Sequence, residues 1–486
     1  MRYTEIAEVK PFEGAPKINV PKVYGASPKK PFLMRIGTSG ERPIKFSAEN
    51  LPQGLTLRDN VIVGAVLKSG KYKIKLIAEN AHGKDEKSVT LDIGKGKLLL
   101  TPLMGFTSWN AYAFEGLTQE KMEYAAKRLE ETGLLEYGYN YVNIDSGWQG
   151  EYGGKYDAVM PNEKFPDMKG FCDRLHEKGI KCGIYSTPML HAFGCSIERV
   201  PLPLGCTQGE PDEMFADERG GIGKIRKEKN NALQWAEWGF DYLKYDWRPS
   251  DPYNAELMRR ELIKTDRDFG YSVTVKARPE YHKYWEKYCS SYRCNPDSVG
   301  NWKNLMEIYE SYFDFVEYVN PGHFFDLDML DLGPSDLFEM FGFYDNKDFG
   351  YSEDEQLAVY STRAFLASPI QISGKLDTLS DFEISMYCND EIIAINQDPL
   401  ASPAMPYMMI EKGEKKLHVL KRKLSDGSYA LAVFNFGETT ENPKIYLEEE
   451  SKVRNVWAKR DIGIMKTIKI YEMTPHTVQI FKITKA

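Results

Sequence analysis

Cysteine and histidine are scarce in this sequence, and their spacing does not suit a metal centre. The 486 residues contain seven of each, with no Cys-x-x-Cys pair and no two histidines at ligand spacing. Structural and catalytic zinc sites draw three or four such ligands from short motifs. We therefore expect no metal ion and no cofactor, which argues against a metal-dependent hydrolase.

Long apolar runs and an excess of positive charge are also missing. The formal net charge is −8 and the isoelectric point is near 5.6, which argues against nucleic acid as a partner. No apolar run approaches the length of a membrane span, so we expect no membrane insertion. The first residues, Met1–Glu5, lack the apolar segment of a signal peptide. The domain layout described next, and not these residues, favours a periplasmic or extracellular protein whose signal peptide has been removed, with a cytoplasmic location left open.

The length of the chain and the changes in sequence pattern along it indicate three domains, which we place at residues 1–98, 99–400 and 401–486. The first has short alternating strands separated by turns such as Ser39-Gly40 and Ser69-Gly70, a pattern typical of a small β-sandwich. Residues 50–55 read Asn-Leu-Pro-Gln-Gly-Leu and resemble a signature of immunoglobulin-like domains. A spacer is the simplest role for this domain, with a carbohydrate-binding appendage as the alternative.

The middle domain alternates strand-like runs with amphipathic helical stretches. Eight strands are predicted, near residues 104–109, 139–145, 181–186, 240–246, 271–277, 292, 323–328 and 369–373. Eight such units over about 300 residues predict a (β/α)8 TIM barrel, whose active site lies at the carboxyl ends of the strands. The third domain has antiparallel-style strands with a hairpin turn at residues 425–428 and predicts a C-terminal β-sandwich.

One strand carries the most informative chemistry. Residues 239–247 alternate apolar and polar side chains, and the predicted strand within them ends at Asp246. Lys244 lies two positions earlier on the same face of that strand. A neighbouring cation keeps a carboxylate ionised, so Asp246 is suited to act as a nucleophile. A structural salt bridge explains this stretch equally well. The other strand ends, however, are also polar, and they carry Trp109, Asp145, Tyr185, Lys276, Arg293 with Asp297, and Asp326 with Asp328.

Six motifs resemble those of glycoside hydrolase family 27, the α-galactosidase (melibiase) family. They are residues 101–110, 143–148, 242–247, 292–297, 321–330 and 389–400. The most diagnostic ones read Tyr-Leu-Lys-Tyr-Asp, similar to the family's nucleophile strand, and Asn-Asp-Glu-Ile-Ile-Ala-Ile-Asn-Gln-Asp-Pro-Leu, similar to the end of its barrel. The resemblance covers the chain from about Thr101 to the C-terminus.

The resemblance implies a retaining hydrolase that acts on carbohydrates. Asp246 would be the nucleophile and Asp297 the general acid and base, a pair that must lie about 5–5.5 Å apart. Glu307 and Glu310 are nearby alternatives to Asp297, but they are predicted to lie on the solvated face of a helix. The residues expected to bind substrate are Trp109, Asp145, Ser146, Tyr185, Lys244, Lys276, Arg293 and Asp328.

Some positions depart from the family pattern. Ser146 stands where the family has a second Asp that grips galactose hydroxyls, and Arg248 stands where it has a disulfide cysteine. That leaves Cys195 without the family partner, although Cys195 and Cys206 bracket a Pro-rich stretch and could pair in an oxidising compartment. A sugar hydroxyl without its partner costs on the order of 1–3 kcal/mol. We therefore expect an α-galactosidase, or an enzyme for α-glucosides, α-N-acetylgalactosaminides or β-L-arabinopyranosides. The remaining alternative is a barrel that binds carbohydrate without cleaving it.

Overall fold

The first domain consists of two small β-sheets, of four and three strands, and a separate antiparallel pair of two short strands. The computed structural model describes residues 2–194, 202–212, 220–274, 279–345 and 349–486. The strands of the first domain are β1 (Lys17–Ile18), β2 (Val23–Ala26), β3 (Phe32–Arg35), β4 (Thr38–Ser39), β5 (Lys45–Glu49), β6 (Leu55–Arg58), β7 (Val61–Gly64), β8 (Gly70–Asn80) and β9 (Gly83–Ile93). Strands β2, β9, β8 and β5 form one sheet and β3, β7 and β6 another, and both sheets contribute to one hydrophobic core. The immunoglobulin-like assignment stays a prediction.

The middle domain contains the predicted parallel strands. Its strands are β10 (Met104–Thr107), β11 (Tyr141–Ile144), β12 (Gln149–Gly153), β13 (Ala158–Pro161), β14 (Lys181–Ser186), β15 (Thr207–Asp212), β16 (Ile222–Arg226), β17 (Tyr242–Asp246), β18 (Gly270–Thr274), β19 (Ser291–Tyr292), β20 (Phe324–Phe325) and β21 (Ile370–Ile372). Eight of them form one parallel sheet in the order β20-β19-β18-β17-β14-β11-β10-β21, which confirms the eight predicted strands. The pairs β12–β13 and β15–β16 are antiparallel hairpins that the sequence pattern did not indicate.

The two ends of this sheet meet through one isolated bridge. Leu330 pairs in parallel with Ile372, since its amide donates to the carbonyl of Gln371 and its carbonyl accepts from the amide of Ser373. This bridge brings the chain after β20 beside β21. The carboxyl ends of all eight strands therefore face the same side, as in a TIM barrel.

Helices separate most of the barrel strands. They are α1 (Ser108–Gly116), α2 (Gln119–Glu131), α3 (Met168–Glu177), α4 (Glu228–Trp238), α5 (Pro252–Lys264), α6 (His282–Tyr288), α7 (Trp302–Ser311), α8 (Asp336–Met340), α9 (Glu353–Phe365), α10 (Asp381–Tyr387) and α11 (Asp390–Asn396). The side chain of Thr118 caps α2 by accepting a hydrogen bond from the amide of Lys121. Gly239 ends α4 with a φ of +104°, a left-handed conformation that glycine adopts without strain. Among the described residues, no helix is both long enough and apolar enough to cross a membrane.

The third domain is a six-stranded antiparallel sheet, which bears out the predicted C-terminal β domain. Its strands are β22 (Met405–Lys412), β23 (Lys415–Lys423), β24 (Tyr429–Asn435), β25 (Lys444–Asn455), β26 (Arg460–Lys469) and β27 (Thr477–Lys485). Alternate residues of β24 face opposite sides: Ala430, Ala432 and Phe434 join the barrel core, whereas Leu431 and Val433 join a separate core of this domain. The predicted boundary at residue 400 falls between α11 and β22.

Candidate active site

One cavity of about 230 Å³ opens at the carboxyl ends of the barrel strands. The predicted residues that line it are Trp109, Asp145, Tyr185, Lys244, Asp246, Arg293 and Asp297. They come from the ends of five different strands or the loops that follow, so only the closed parallel sheet brings them together.

Strand β17 supplies the central pair of side chains. Its alternation sends Leu243 and Tyr245 outward into the core beneath the helices and leaves Lys244 and Asp246 on the inner face. At the other end of the same face, Tyr242 packs against Tyr141 with their ring centroids 6.2 Å apart. These aromatic rings pack on the inner face of the strand at the end away from the mouth, whereas Lys244 and Asp246 lie at the cavity.

Asp246 is almost completely buried, with 9% of its surface exposed. The hydroxyl of Tyr185 donates a hydrogen bond to Oδ2 of Asp246 over 2.8 Å. The backbone of Tyr185 is fixed in turn, because Nε1 of Trp148 donates a hydrogen bond to its carbonyl oxygen over 3.0 Å. The carboxylate is therefore held in one orientation by a donor that stabilises its ionised form.

Lys244 makes its ion pair with Asp145. Its Nζ lies 2.7 Å from Oδ2 of Asp145, a carboxylate that also accepts from the amide of Ser146. Burial lowers the pKa of Lys244, but the charges of Asp145, Asp328 and Asp246 outweigh burial and raise it above its ordinary value. Lys244 thus stays charged beside Asp246, as the sequence predicts, although the carboxylate bonded to it in this structure is that of Asp145.

Arg293 connects two carboxylates at the mouth. Its Nη2 lies 2.7 Å from Oδ1 of Asp297, and its Nη1 donates to Oδ2 of Asp328 over 2.9 Å. Burial raises the pKa of Asp297, but the guanidinium of Arg293 outweighs it, so this pKa lies below its usual value. The Asp297 side chain is also 64% exposed, in contrast to Asp246.

The backbone around Asp297 is held by side chains from neighbouring elements. Nδ2 of Asn304 donates to the carbonyl of Asp297 over 3.0 Å. The amide of Ser298 donates to Asp328 over 2.8 Å, and its hydroxyl donates to Asp331 over 2.6 Å. An exposed carboxyl group is thereby carried on a rigid backbone. The alternatives Glu307 and Glu310 lie on the exposed face of α7, as the sequence predicts.

Two of the predicted substrate-binding residues, Ser146 and Asp328, do not line the cavity. Ser146 is buried and does not line the cavity. Its amide donates a hydrogen bond to Oδ1 of Asp145. Asp328 lies behind Arg293 as its ion-pair partner. Lys276 lies outside the described residues. Cys195 also lies outside the described residues, so its pairing with Cys206 stays a prediction. Sγ of Cys206 lies 3.1 Å from Oγ of Ser186.

The sequence pattern did not predict the aromatic rim that lies at the cavity. It consists of Phe193 and of Phe338, Phe341 and Phe343, which come from α8 and the loop that follows it. The ring of Phe193 lies 5.9 Å from that of Trp109, and Phe341 is 53% exposed. Four phenylalanines between residues 338 and 349 were the available signal, but a cluster of this kind usually reports a core.

A second polar cluster lies at the opposite end of the barrel. His176, Cys182 and Asp241 place one potential ligand atom each within 4.8 Å of one another, a grouping that the sequence spacing did not indicate. Nη2 of Arg267 donates to Oδ1 of Asp241 over 2.8 Å and lies 3.3 Å from Nε2 of His176. The negative charge of this cluster therefore already has a cationic partner, which disfavours a metal ion there.

Comparison with known proteins identifies the family. A family model described as alpha galactosidase A matches residues 101–196 and 213–398, and a model of the alpha galactosidase C-terminal beta sandwich domain matches residues 414–483. Together the two matches include the barrel strands, the cavity residues and most of the third domain.

Individual relatives agree with this assignment. The chain is 28% identical over 356 residues to alpha-galactosidase A of Cellvibrio japonicus, which covers 70% of this chain and 77% of that protein. A solved candidate α-galactosidase/melibiase from Bacteroides fragilis is 31% identical, with a TM-score of 0.83 and coverage of 98% and 99%. A β-L-arabinopyranosidase from Geobacillus stearothermophilus shares the fold at 20% identity and a TM-score of 0.65, with coverage of 79% and 97%. The chain therefore belongs to the α-galactosidase A (melibiase) family, and it is an O-glycosyl hydrolase of that type.

Proposed function

We propose that the protein is a retaining exo-glycosidase that removes terminal α-linked sugars, galactose first among them, from oligosaccharides or polysaccharides. The observation that carries the proposal is the contrast between two carboxyl groups of one cavity. Asp246 is buried and hydrogen-bonded, whereas Asp297 is exposed at the mouth. Retaining hydrolysis needs two such carboxyl groups in different environments.

In the first step, a carboxylate oxygen of Asp246 forms a bond to the anomeric carbon. The glycosidic bond breaks, and its electron pair leaves with the oxygen, which takes the proton from Asp297. In the second step, Asp297 accepts a proton from water, and the water oxygen displaces Asp246 from the anomeric carbon. Two inversions at one carbon leave the configuration of the sugar unchanged.

The environments of the two groups suit these roles. The hydroxyl of Tyr185 favours the ionised form of Asp246, which a nucleophile requires. The acid must carry a proton, yet Arg293 holds the pKa of Asp297 below its usual value in this structure. A bound glycoside would remove water from the exposed Asp297 side chain, and loss of water raises the pKa of a carboxyl group. We infer that substrate binding converts Asp297 into the acid.

The same cavity holds groups that fit one sugar ring. Trp109 offers an aromatic face for stacking, while Asp145, Lys244 and Arg293 offer charged partners for hydroxyl groups. The Tyr141 and Tyr242 rings pack at the bottom of the barrel, which limits the depth of the cavity and favours the end of a chain. We propose that these residues bind the terminal sugar.

A second specificity is favoured by the position of Ser146. Family α-galactosidases grip galactose hydroxyls with an aspartate at this position, whereas Ser146 is buried outside the cavity lining. A ligand that lacks one of those hydroxyl contacts loses less at this site than galactose does. A β-L-arabinopyranoside, an α-glucoside or an α-N-acetylgalactosaminide is therefore the alternative substrate.

A panel of aryl glycosides tests the proposal. It would contain the α-D-galactoside, α-D-glucoside, α-D-N-acetylgalactosaminide and β-L-arabinopyranoside, each followed by NMR to identify the first anomer released. We expect turnover of the galactoside with retention, and a loss of at least about a thousand-fold in Asp246→Asn. A preference for another sugar would favour the second specificity, and an inverted product would contradict the double displacement.

A chemical rescue separates the two carboxyl groups. In Asp246→Gly, azide should replace the nucleophile and give a glycosyl azide of inverted configuration. In Asp297→Gly, azide should attack the glycosyl-enzyme and give a retained product, because Asp246 is still present. Asp314→Asn, a change at an exposed aspartate, is the control and should behave as the wild type. The opposite pairing of products would exchange the two roles.

We also propose that the first domain is an immunoglobulin-like spacer and that the protein works in the periplasm or outside the cell. The support for the first point is a two-sheet β domain that packs on the barrel away from the cavity, with Arg35 bonded to Glu136 over 2.6 Å. The support for the second is the layout of a barrel between two β domains. Fractionation of the producing cells tests the location.

A further inference from the structure

Arg248 is a cation of the cavity that forms no ion pair with a carboxylate among the described residues. It lies two residues after Asp246 and lines the same cavity. The two other cations in the described lining of the cavity are paired, Lys244 with Asp145 and Arg293 with Asp297 and Asp328. Among the described residues, no carboxylate lies within 4.0 Å of the Arg248 guanidinium and no acceptor takes a hydrogen bond from it.

The position of Arg248 is set by its surroundings. Its Cζ lies over the ring of Phe193 at 5.9 Å from the centroid, and Phe193 packs in turn against Trp109. The loop after it is anchored because Nε1 of Trp247 donates to Asp251, which caps α5. The guanidinium is thus held at the wall of the cavity by an aromatic contact, with its donors left for a ligand.

A partly buried guanidinium without a counter-ion favours an anion. Its planar fork matches carboxylate and sulfate oxygens in a bidentate arrangement, which is stronger than a hydrogen bond between neutral groups. Arg248 and Asp297, the more exposed of the two acids, line the same cavity, and the charge of Arg248 helps to lower the pKa of Asp297. A neutral galactoside can accept hydrogen bonds from this guanidinium but carries no charge to pair with it.

We propose that Arg248 makes the cavity selective for glycosides that carry a carboxylate or sulfate near the cleaved bond. The anion belongs either to the terminal sugar, as in a uronic acid, or to the leaving group, as in an acidic neighbouring sugar. This inference rests on the proposed function for the position of the cleaved bond. Arg248 acts as a specificity-determining residue and takes no part in bond cleavage.

Two matched substrate pairs test the two sources of the anion. The first compares the 4-nitrophenyl α-D-galacturonide with the α-D-galactoside. The second compares α-D-galactosides whose leaving groups are 4-hydroxybenzoate and 4-hydroxybenzamide, which differ mainly in charge. The quantity measured is the ratio of kcat/KM for the anionic and the neutral member of each pair, in wild type, Arg248→Lys and Arg248→Gln.

We expect Arg248→Gln to lower this ratio by roughly ten- to a hundred-fold in one pair, as for loss of a hydrogen bond to a charged group. The pair affected identifies where the anion lies. Arg248→Lys should retain part of the preference, and salt should weaken it because the site is open to solvent. Arg260→Gln, an exposed arginine on α5, should leave the ratio unchanged. An unchanged ratio in both pairs of the folded Arg248→Gln variant would overturn the inference.

A binding measurement keeps this result separate from the proposed function. If wild type cleaves neither member of a pair, the proposed function fails, and calorimetry of the same compounds still tests Arg248. Tighter binding of the anionic member that disappears in Arg248→Gln would support the inference. Equal binding of both members by wild type would overturn it. Thermal melting of each variant verifies that it is folded.

Discussion

The two ends of the barrel hold similar residue types in different states of pairing. At the amino-terminal end, Asp241 accepts from the Cys182 amide over 2.9 Å, from Arg267 over 2.8 Å, and lies 2.8 Å from His176. At the carboxyl end, Asp297 is bonded to Arg293 yet mostly exposed, and Arg248 has no carboxylate partner among the described residues.

The difference separates structural charges from charges that can meet a substrate. Burial raises the pKa of Asp241, but His176 and Arg267 outweigh burial and hold it far below its usual value. Such a closed network stabilises the fold and leaves no bonding capacity for a ligand. The mouth is arranged differently: its charged groups line a cavity, and the side chain of Asp297 is mostly exposed there. Pairing, more than residue type, distinguishes the site from its structural counterpart.

The largest expected effect is at the mouth. Asp297→Asn removes the proposed acid, and we expect kcat/KM to fall by about 100- to 10,000-fold for a substrate with a poor leaving group. The loss should be much smaller for a 2,4-dinitrophenyl glycoside, which needs no protonation to leave. Kinetics on both substrates measure this difference. An equal loss on both would mean that Asp297 has another role.

Asp241→Asn tests the closed end. We expect a loss of roughly 3 kcal/mol in the free energy of unfolding, because Arg267 and His176 lose a buried carboxylate partner. The folded pKa of Asp241 is lowered, so its stabilisation is complete above about pH 4 and is lost as the pH falls further. Urea unfolding from pH 3 to 7 measures this, with the exposed Asp461→Asn as control. A stable variant with lost activity would reverse our assignment of the two ends.

Replacing Asp326 by asparagine should have the opposite effect on the free energy of unfolding. Burial and the charge of Asp328 raise the pKa of Asp326 to about 6. A raised folded pKa gives a contribution that is favourable below the unfolded pKa and lost as the pH rises through about 6. Asp326→Asn should therefore stabilise the protein by about 2–3 kcal/mol at pH 7, with no gain below pH 4. Thermal melting across this range decides, and destabilisation at pH 7 would contradict the raised pKa.

The smallest effect concerns the pH profile. Arg293 holds the pKa of Asp297 low in the free protein, and a bound glycoside should raise it. The general acid is active only when protonated, so activity declines as the pH rises through its pKa. The alkaline limb of kcat/KM, which reports the free enzyme, should therefore lie at lower pH than that of kcat. The measurement needs a substrate for which the first chemical step limits kcat. Alkaline limbs at the same pH in the two profiles would contradict the proposed rise in the pKa of Asp297.

The barrel was predictable because its signals are local. Strand β14 begins and ends at the predicted residues, and β17 ends at the predicted Asp246. Alternation along a strand and capping of a helix depend on neighbours in the chain, so a single sequence contains them. The hairpins β12–β13 and β15–β16 were missed, because short antiparallel pairs inserted between barrel strands carry little periodicity of their own.

The contents of the site were only partly predictable. The sequence places Lys244 beside Asp246 on one face, but the ion pair with Asp145 joins residues 99 positions apart. Ser146 was expected in the cavity and lies buried behind Asp145, since adjacent residues after a strand point in different directions. The aromatic rim from Phe193 and Phe341 joins two distant loops, and no local pattern reports such a meeting.

From the sequence alone, the eight parallel strands, their order and most of the polar residues at their ends were predictable, because these follow from local periodicity and from recurring motifs. Only the tertiary structure decided which charged groups pair with one another. Pairing depends on distances of a few ångströms between residues far apart in the chain. For that reason Asp241 is part of a closed network, whereas Arg248 lines the cavity without a carboxylate partner in the described part of the chain.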